Sequence, residues 1–155
     1  MSGEPHMKAL FIGPIDAGKT SLKQRLTEDR IWEDKTGCII YGEWIDTPGE
    51  LFENQGFFRR LLQLANQADL VLWVVDATKP MLGNHLEYRR LIETTIIGIA
   101  TKIDSEEADL LKVSNRMQEL GIWRWFPISN ITGEGIAALQ EELVELEEMI
   151  HLERG

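Results

Sequence analysis

The 155-residue chain carries 16 basic and 26 acidic residues, a net charge of −10, with 43% hydrophobic residues and a single cysteine. This length is one domain's worth; the acidity repels phosphate backbones and argues against general nucleic-acid binding. No apolar run approaches the ~20 residues of a membrane helix, and a lone Cys38 excludes an internal disulfide and suits a small core residue in a reducing, cytoplasmic setting. We expect one domain over residues 1–155, with residues 1–7 a flexible N-terminal extension that has no apolar signal core. His6, His85, His151 and Cys38 make no zinc spacing.

Branched apolar runs alternate with stretches of helical period, the pattern of strands and crossover helices in a mostly parallel sheet, which predicts an α/β fold with helices on both faces. "KALFIG" (8–13) reads as a buried strand and "KTSLKQRL" (19–26) as the helix after it. "CIIYGEWID" (38–46) reads as two short strands with a turn near Gly42. "LFENQGFFRRLLQLANQ" (51–67) is partly helical, with Gly56 weakening its early turns, and "DLVLWVVDA" (69–77) is a strand buried on both faces. A helix over 84–93, a strand over 94–104 ending in a polar loop, a helix over 106–121 stopped by Gly121 and a last strand over 122–129 follow. From Gly135 onward, Ile136, Leu139, Leu143, Leu146 and Ile150 recur at intervals of three and four, predicting a closing amphipathic helix with a solvated, glutamate-rich outer face.

Between the first strand and its helix, "GPIDAGKT" (13–20) fits GxxxxGKT, a phosphate-binding loop. Gly13 and Gly18 give the backbone room to aim amide N–H groups at an anion, and the helix dipole favours negative charge at the same place. Asp16, Ala17, Gly18 and Ser21 line the cradle; Lys19 reaches the β- and γ-phosphates, and the Thr20 hydroxyl suits Mg²⁺. These residues specify a nucleotide without naming its base. "TKID" (101–104) lies at the carboxyl end of a predicted strand, on the ligand side of an open α/β sheet, and fits the guanine-reading loop of GTPases. Asp104 can accept from guanine N1–H and the exocyclic amine, a donor pair that adenine lacks, and the Lys102 stem can cover the ring. Thr101 replaces the asparagine more often found first in this loop, which removes part of the tie to the phosphate loop. "DTPG" (46–49) is either a plain Pro-Gly turn or the DxxG switch, with Asp46 holding Mg²⁺ through water and the Gly49 amide sensing the γ-phosphate. Ser129 and Asn130, in "SNITGEG", stand where GTPases touch guanine O6, although Asn130 replaces the usual alanine.

This ordered set resembles the Ras-like P-loop GTPases over nearly the whole chain. More narrowly, "LFIGPIDAGKTSL", "EDKTG" and "WIDTPGELFEN" look like the EutP/PduV proteins of bacterial ethanolamine and propanediol utilisation. The resemblance implies GTP/GDP and Mg²⁺ as ligands, and a cytoplasmic protein associated with a bacterial microcompartment through shell or enzyme partners. It makes Thr36 either the switch threonine that closes on Mg²⁺ or a polar surface residue, because Thr36 lies only ten positions before Asp46. Asp16 is either a turn residue or a ligand for K⁺, as asparagine is in potassium-activated GTPases.

Glu50 follows the switch glycine where GTP hydrolases often carry glutamine. An ionised carboxylate repels the γ-phosphate oxygens while accepting from the attacking water, so Glu50 predicts a slow GTPase, with Lys19 and Glu50 the candidate catalytic residues. Arg59 and Arg60 are compensating cations or a solvated pair. A second reading is a nucleotide-gated interaction module that uses Leu51, Phe52, Phe57 and Phe58, more apolar surface than one helix face normally buries. A third, phosphoryl transfer from ATP to acetate, is opposed by Asp104 and by the lack of a basic clamp beyond Lys19.

Overall fold

A computed structural model describes residues 6–14, 16–28, 32–33, 39–46, 55–81 and 86–154. Among the described residues six strands, β1 (His6–Ile12), β2 (Trp32–Glu33), β3 (Ile39–Asp46), β4 (Leu70–Asp76), β5 (Ile96–Thr101) and β6 (Trp125–Pro127), form one sheet in the order β2-β3-β1-β4-β5-β6. β2 pairs antiparallel with β3, and the other described pairings are parallel. The helices are α1 (Lys19–Glu28), α2 (Gln55–Gln67), α3 (Leu86–Arg89), α4 (Leu110–Glu119) and α5 (Ile136–Arg154).

Side-chain alternation along the strands explains the apolar runs. Met7, Ala9 and Phe11 of β1, with Leu70, Leu72 and Val74 of β4, pack against Leu22 and Leu26 of α1 and against Leu139 and Leu143 of α5. Leu10 and Ile12, with Val71, Trp73 and Val75, face the other way, onto Phe58, Leu61 and Ala65 of α2 and Val113 and Met117 of α4. A strand covered on both sides has no polar face, and this is why β4 reads LVLWVV. Burial of these two apolar layers is the main driving force for the three-layer architecture.

Several expectations change. Strand β1 starts at His6, and Met7 is fully buried, so residues 6 and 7 belong to the sheet and not to an extension. No turn interrupts residues 39–46: Gly42 lies inside one continuous strand, opposite Met7. A glycine still supplies its N–H and C=O to the ladder, so pairing along the full length of β1 carries the strand through it. The antiparallel partner of β3 is instead Trp32–Glu33, a strand too short for a period-2 signal. Helix α3 is a single turn at residues 86–89, against the ten residues expected over 84–93, and residues 84 and 85 lie outside the described residues. Helix α4 begins only at Leu110. Asp109 caps it, its side chain accepting from the Lys112 amide at 3.1 Å, which leaves residues 106–108 in the preceding turn.

The outer face of α5 is not uniformly solvated. Glu147, one turn beyond Leu143, points inward and is fully buried. Of the apolar segment after the switch, Phe58 belongs to the core, Arg59 and Arg60 are exposed, and Leu51 and Phe52 lie outside the described residues, as does Cys38. No helix among the described residues is long and apolar enough to cross a membrane.

Candidate nucleotide site

The chain passes from β1 to one side of the sheet through β2 and β3, then returns to the other side at β4. The carboxyl end of β1 is therefore a topological switch point, where open α/β sheets form a ligand crevice. The chain leaves β1 there at Gly13 and enters α1 at Lys19. Gly13 is forced by crowding: a Cβ at this position would lie 2.5 Å from the Val74 carbonyl oxygen. Gly18 has φ +98, a conformation that side chains strain. Lys19 is 6% exposed, and its ammonium donates to the carbonyls of Gly13 at 2.7 Å and Pro14 at 2.8 Å, folding the loop over itself. Thr20 and Ser21, at the first turn of α1, are exposed.

The TKID loop and the Ser129 loop lean on this phosphate loop through three consecutive carbonyls. Lys102 Nζ donates to the Asp16 carbonyl at 2.9 Å. Thr101 Oγ1 donates to the Ala17 carbonyl at 2.6 Å and, more weakly, to Val75 at 3.3 Å. Asn130 Nδ2 donates to the Gly18 carbonyl at 3.4 Å. In a trans peptide the next N–H points opposite to the carbonyl, so fixing the Ala17 and Gly18 carbonyls toward these loops turns the Gly18 and Lys19 amides away from them. Thr101 thus supplies the tie whose loss was expected from the missing asparagine: a hydroxyl on a fully buried side chain reaches the same neighbour.

Asp104 is exposed, and its Oδ1 accepts from Ser129 Oγ at 2.8 Å. Ser129, fully buried, accepts in turn from the amides of Ile131 at 3.1 Å and Thr132 at 3.0 Å. This relay orients the Asp104 carboxylate through the backbone of the neighbouring loop. Asp76, at the end of β4 and opposite Thr101, was not singled out from the sequence. Its Oδ2 accepts from Lys102 Nζ at 2.8 Å, and its Oδ1 accepts from the Thr78 hydroxyl at 2.6 Å and amide at 2.8 Å. Burial pushes this carboxyl up, but the bonds from Lys102 and Thr78 outweigh that and hold it below the ordinary carboxylate value. The signal that could have found it is the Asp closing a wholly apolar strand, VLWVVD.

Asp46 ends β3 opposite Phe11, on the same carboxyl edge of the sheet. Thr36, Gly49 and Glu50 lie outside the described residues. Gly13, Asp16, Ala17, Gly18, Lys19, Thr101, Lys102, Asp104, Ser129 and Asn130 are brought together at the ends of β1 and β5. Their chemistry fits a nucleoside phosphate: a glycine-dependent loop at a helix N-terminus with a buried lysine beside it, and an oriented carboxylate about one loop away. Thr20 lies in the first turn of α1 and Asp46 closes β3 on the same edge, and a hydroxyl and a carboxylate are oxygen donors of the kind Mg²⁺ takes.

Fold and site together define a P-loop protein with the GTPase fold. Residues 6–145 match the PduV-EutP family (ethanolamine utilisation - propanediol utilisation), and the chain belongs to that family. It is 29% identical over 131 residues to the propanediol utilization protein PduV of Citrobacter freundii, covering 83% of this chain and 87% of that one. It is also 28% identical over 170 residues to translation initiation factor IF-2 of Helicobacter acinonychis, covering 94% of this chain but only 18% of the factor. Among solved structures, translation elongation factor SelB from Methanococcus maripaludis in complex with the GTP analogue GPPNHP superposes with a TM-score of 0.68 at 24% identity, over 92% of this chain and 34% of SelB. The cytosolic domain of the T. maritima FeoB iron transporter in its GMPPNP form gives 0.60 at 23% identity, over 92% and 64%. At these identities the likeness is one of fold.

Proposed function

We propose that the chain binds GTP and GDP with Mg²⁺ and acts as a slow GTPase switch in propanediol- or ethanolamine-type microcompartment metabolism, in the cytoplasm at or near the compartment. One observation carries the nucleotide reading: the exposed Asp104 carboxylate is oriented by Ser129 Oγ while its own loop is bonded to the phosphate loop through Thr101 and Lys102. A base reader and a phosphate loop held as one unit suit guanine, whose N1–H and exocyclic amine both meet a carboxylate. Adenine leaves that carboxylate poorly paired. Lys19 and the amides of Asp16 to Thr20 hold the phosphates in the cradle that Gly13 opens, and Thr20, Asp46 and Thr36 are the candidates for Mg²⁺. Asp16 sits in a left-handed turn, φ +64, with its carbonyl held by Lys102, and it is the candidate for a K⁺ site.

The two guanine-nucleotide-analogue complexes of SelB and FeoB and the family's metabolic setting support this reading. Slow turnover rests on Glu50 in place of glutamine, and shell or enzyme proteins are the expected partners. Calorimetric titration of GTP, GDP and ATP with Mg²⁺ into the wild type and Asp104→Asn tests the base reading: GTP is expected to bind more tightly than ATP, and the variant to lose that preference. Unchanged GTP affinity in Asp104→Asn removes the base-reading role. Single-turnover GTP hydrolysis at 1 s⁻¹ or faster without a partner, on the order of partner-stimulated rates, rules out the slow switch.

A further inference from the structure

Lys102 is held in an unusual way. Its φ is +65, a left-handed conformation that costs a residue with a Cβ roughly 1 kcal/mol or more. It persists only where the surroundings fix it. The backbone on its carboxyl side is tied by the Ile103 amide, which donates to the Ile128 carbonyl at 3.3 Å. The side chain is tied at its far end, where one ammonium bridges the Asp16 carbonyl at 2.9 Å and Asp76 Oδ2 at 2.8 Å.

Asp76 is itself immobilised. It is 6% exposed and sits opposite Thr101 in the β4–β5 register. Its other oxygen is held by the Thr78 hydroxyl and amide. A carboxylate fixed on both oxygens, at the end of a core strand, is a rigid anchor for a long flexible cation. Without it, Lys102 keeps only a single neutral carbonyl as partner, and four rotatable bonds regain their freedom.

We propose that Asp76 is a positioning residue for nucleotide recognition: by anchoring Lys102 it locks the TKID loop onto the phosphate loop, so that the base-reading face and the phosphate cradle bind as one preorganised unit. Resting on the guanine-nucleotide reading above, the inference adds a residue outside the four sequence motifs. Asp76 is not a ligand for the nucleotide; it acts through Lys102. Preorganisation of this kind appears as affinity, because ordering the loops is completed before the ligand arrives.

The test measures GDP and ADP binding, with Mg²⁺, to the wild type, Asp76→Ala, Asp76→Asn, Lys102→Met and the Asp76→Ala/Lys102→Met double variant, with thermal melting of each. Asp76→Ala is expected to weaken GDP by on the order of tenfold, as for loss of a charged hydrogen-bond partner, and to lower the GDP-to-ADP preference. Asp76→Asn, which keeps an acceptor for Lys102, is expected to recover most of the loss. In the double variant the two losses should not add, because they remove the same contact. Wild-type GDP binding combined with an Asp76→Ala affinity within twofold of it, or with additive losses, overturns the inference and leaves the nucleotide reading intact. A wild type that binds no guanine nucleotide fails both. Should Asp76→Ala not fold, Lys102→Met removes the same ion pair from the other side while keeping the aliphatic stem, and carries the same expected loss and the same overturning result.

Discussion

The two edges of the sheet each bury a carboxylate, and they treat it in opposite ways. At the carboxyl edge Asp76 is surrounded by donors and held below the ordinary carboxylate value. At the amino edge Glu147 of α5 is fully buried near the starts of β1 and β4, and neither of its oxygens has a hydrogen-bond partner of normal geometry among the described residues. Burial pushes the Glu147 carboxyl up to about 8; the nearby Met7 amide pulls against this and the Asp69 charge adds to it. Burial alone therefore does not decide the charge state. Donor supply does. The edge that holds the candidate site is the edge where Asp76 and the carbonyls of Asp16, Ala17 and Gly18 have been given donors.

The largest expected effect tests how tightly the carboxyl edge is built. Gly13→Ala sets a Cβ against the Val74 carbonyl, and should cost ~3 kcal/mol through forced backbone shifts, together with loss of GDP binding, as read by denaturant unfolding and calorimetry. Unchanged stability would mean that the phosphate loop is looser than its contacts imply.

The second prediction breaks the contrast from the amino edge. A glutamate of pKa 4.5 when unfolded and about 8 when folded keeps a proton in the native state that the unfolded chain releases. Its stabilising contribution is complete below about pH 4.5 and is lost as pH rises through about 8. Between pH 6 and 8 the wild type should lose ~2 kcal/mol relative to Glu147→Gln, which has no proton to release. Parallel pH profiles of unfolding free energy for the two proteins would show that Glu147 has found a partner.

A smaller effect sharpens the carboxyl edge. Thr101→Val keeps the shape of the side chain but leaves the Ala17 carbonyl without its 2.6 Å donor, which should cost ~1–2 kcal/mol and weaken GDP more than it lowers the melting temperature. Equal changes would make Thr101 a stability residue only. The smallest effect is expected at the half-buried cap of α4, whose side chain bonds within its own first turn: Asp109→Ala should cost ~1 kcal/mol in thermal unfolding and leave nucleotide affinity unchanged.

Much of the carboxyl edge was legible in the chain because its chemistry is written in contiguous residues. GPIDAGKT follows an apolar strand and TKID ends one, and both boundaries are marked by short-range pattern. For Asp76 the sequence shows only an aspartate closing an apolar strand, and its role comes from the register that sets it opposite Thr101. Glu147 was misread for a related reason. On a helical wheel it lies at the margin of the apolar stripe, and only packing against β1 and the start of β4 decides that this margin is buried. The Gly42 turn failed because glycine is ambiguous between a bend and an uninterrupted ladder until its partner strand is known.

The sequence by itself determined the α/β class, the strand-loop-helix that cradles an anion, and the order of the motifs along the chain. These follow from local periodicity and backbone chemistry, which need no distant neighbour. Only the tertiary structure decided that three consecutive carbonyls of the phosphate loop are engaged by residues far along the chain, that Thr101 replaces the missing asparagine tie, and that two buried carboxylates have opposite charge preferences. Those outcomes depend on which groups parallel strand pairing and helix packing set within hydrogen-bond reach, a distance that sequence separation does not encode.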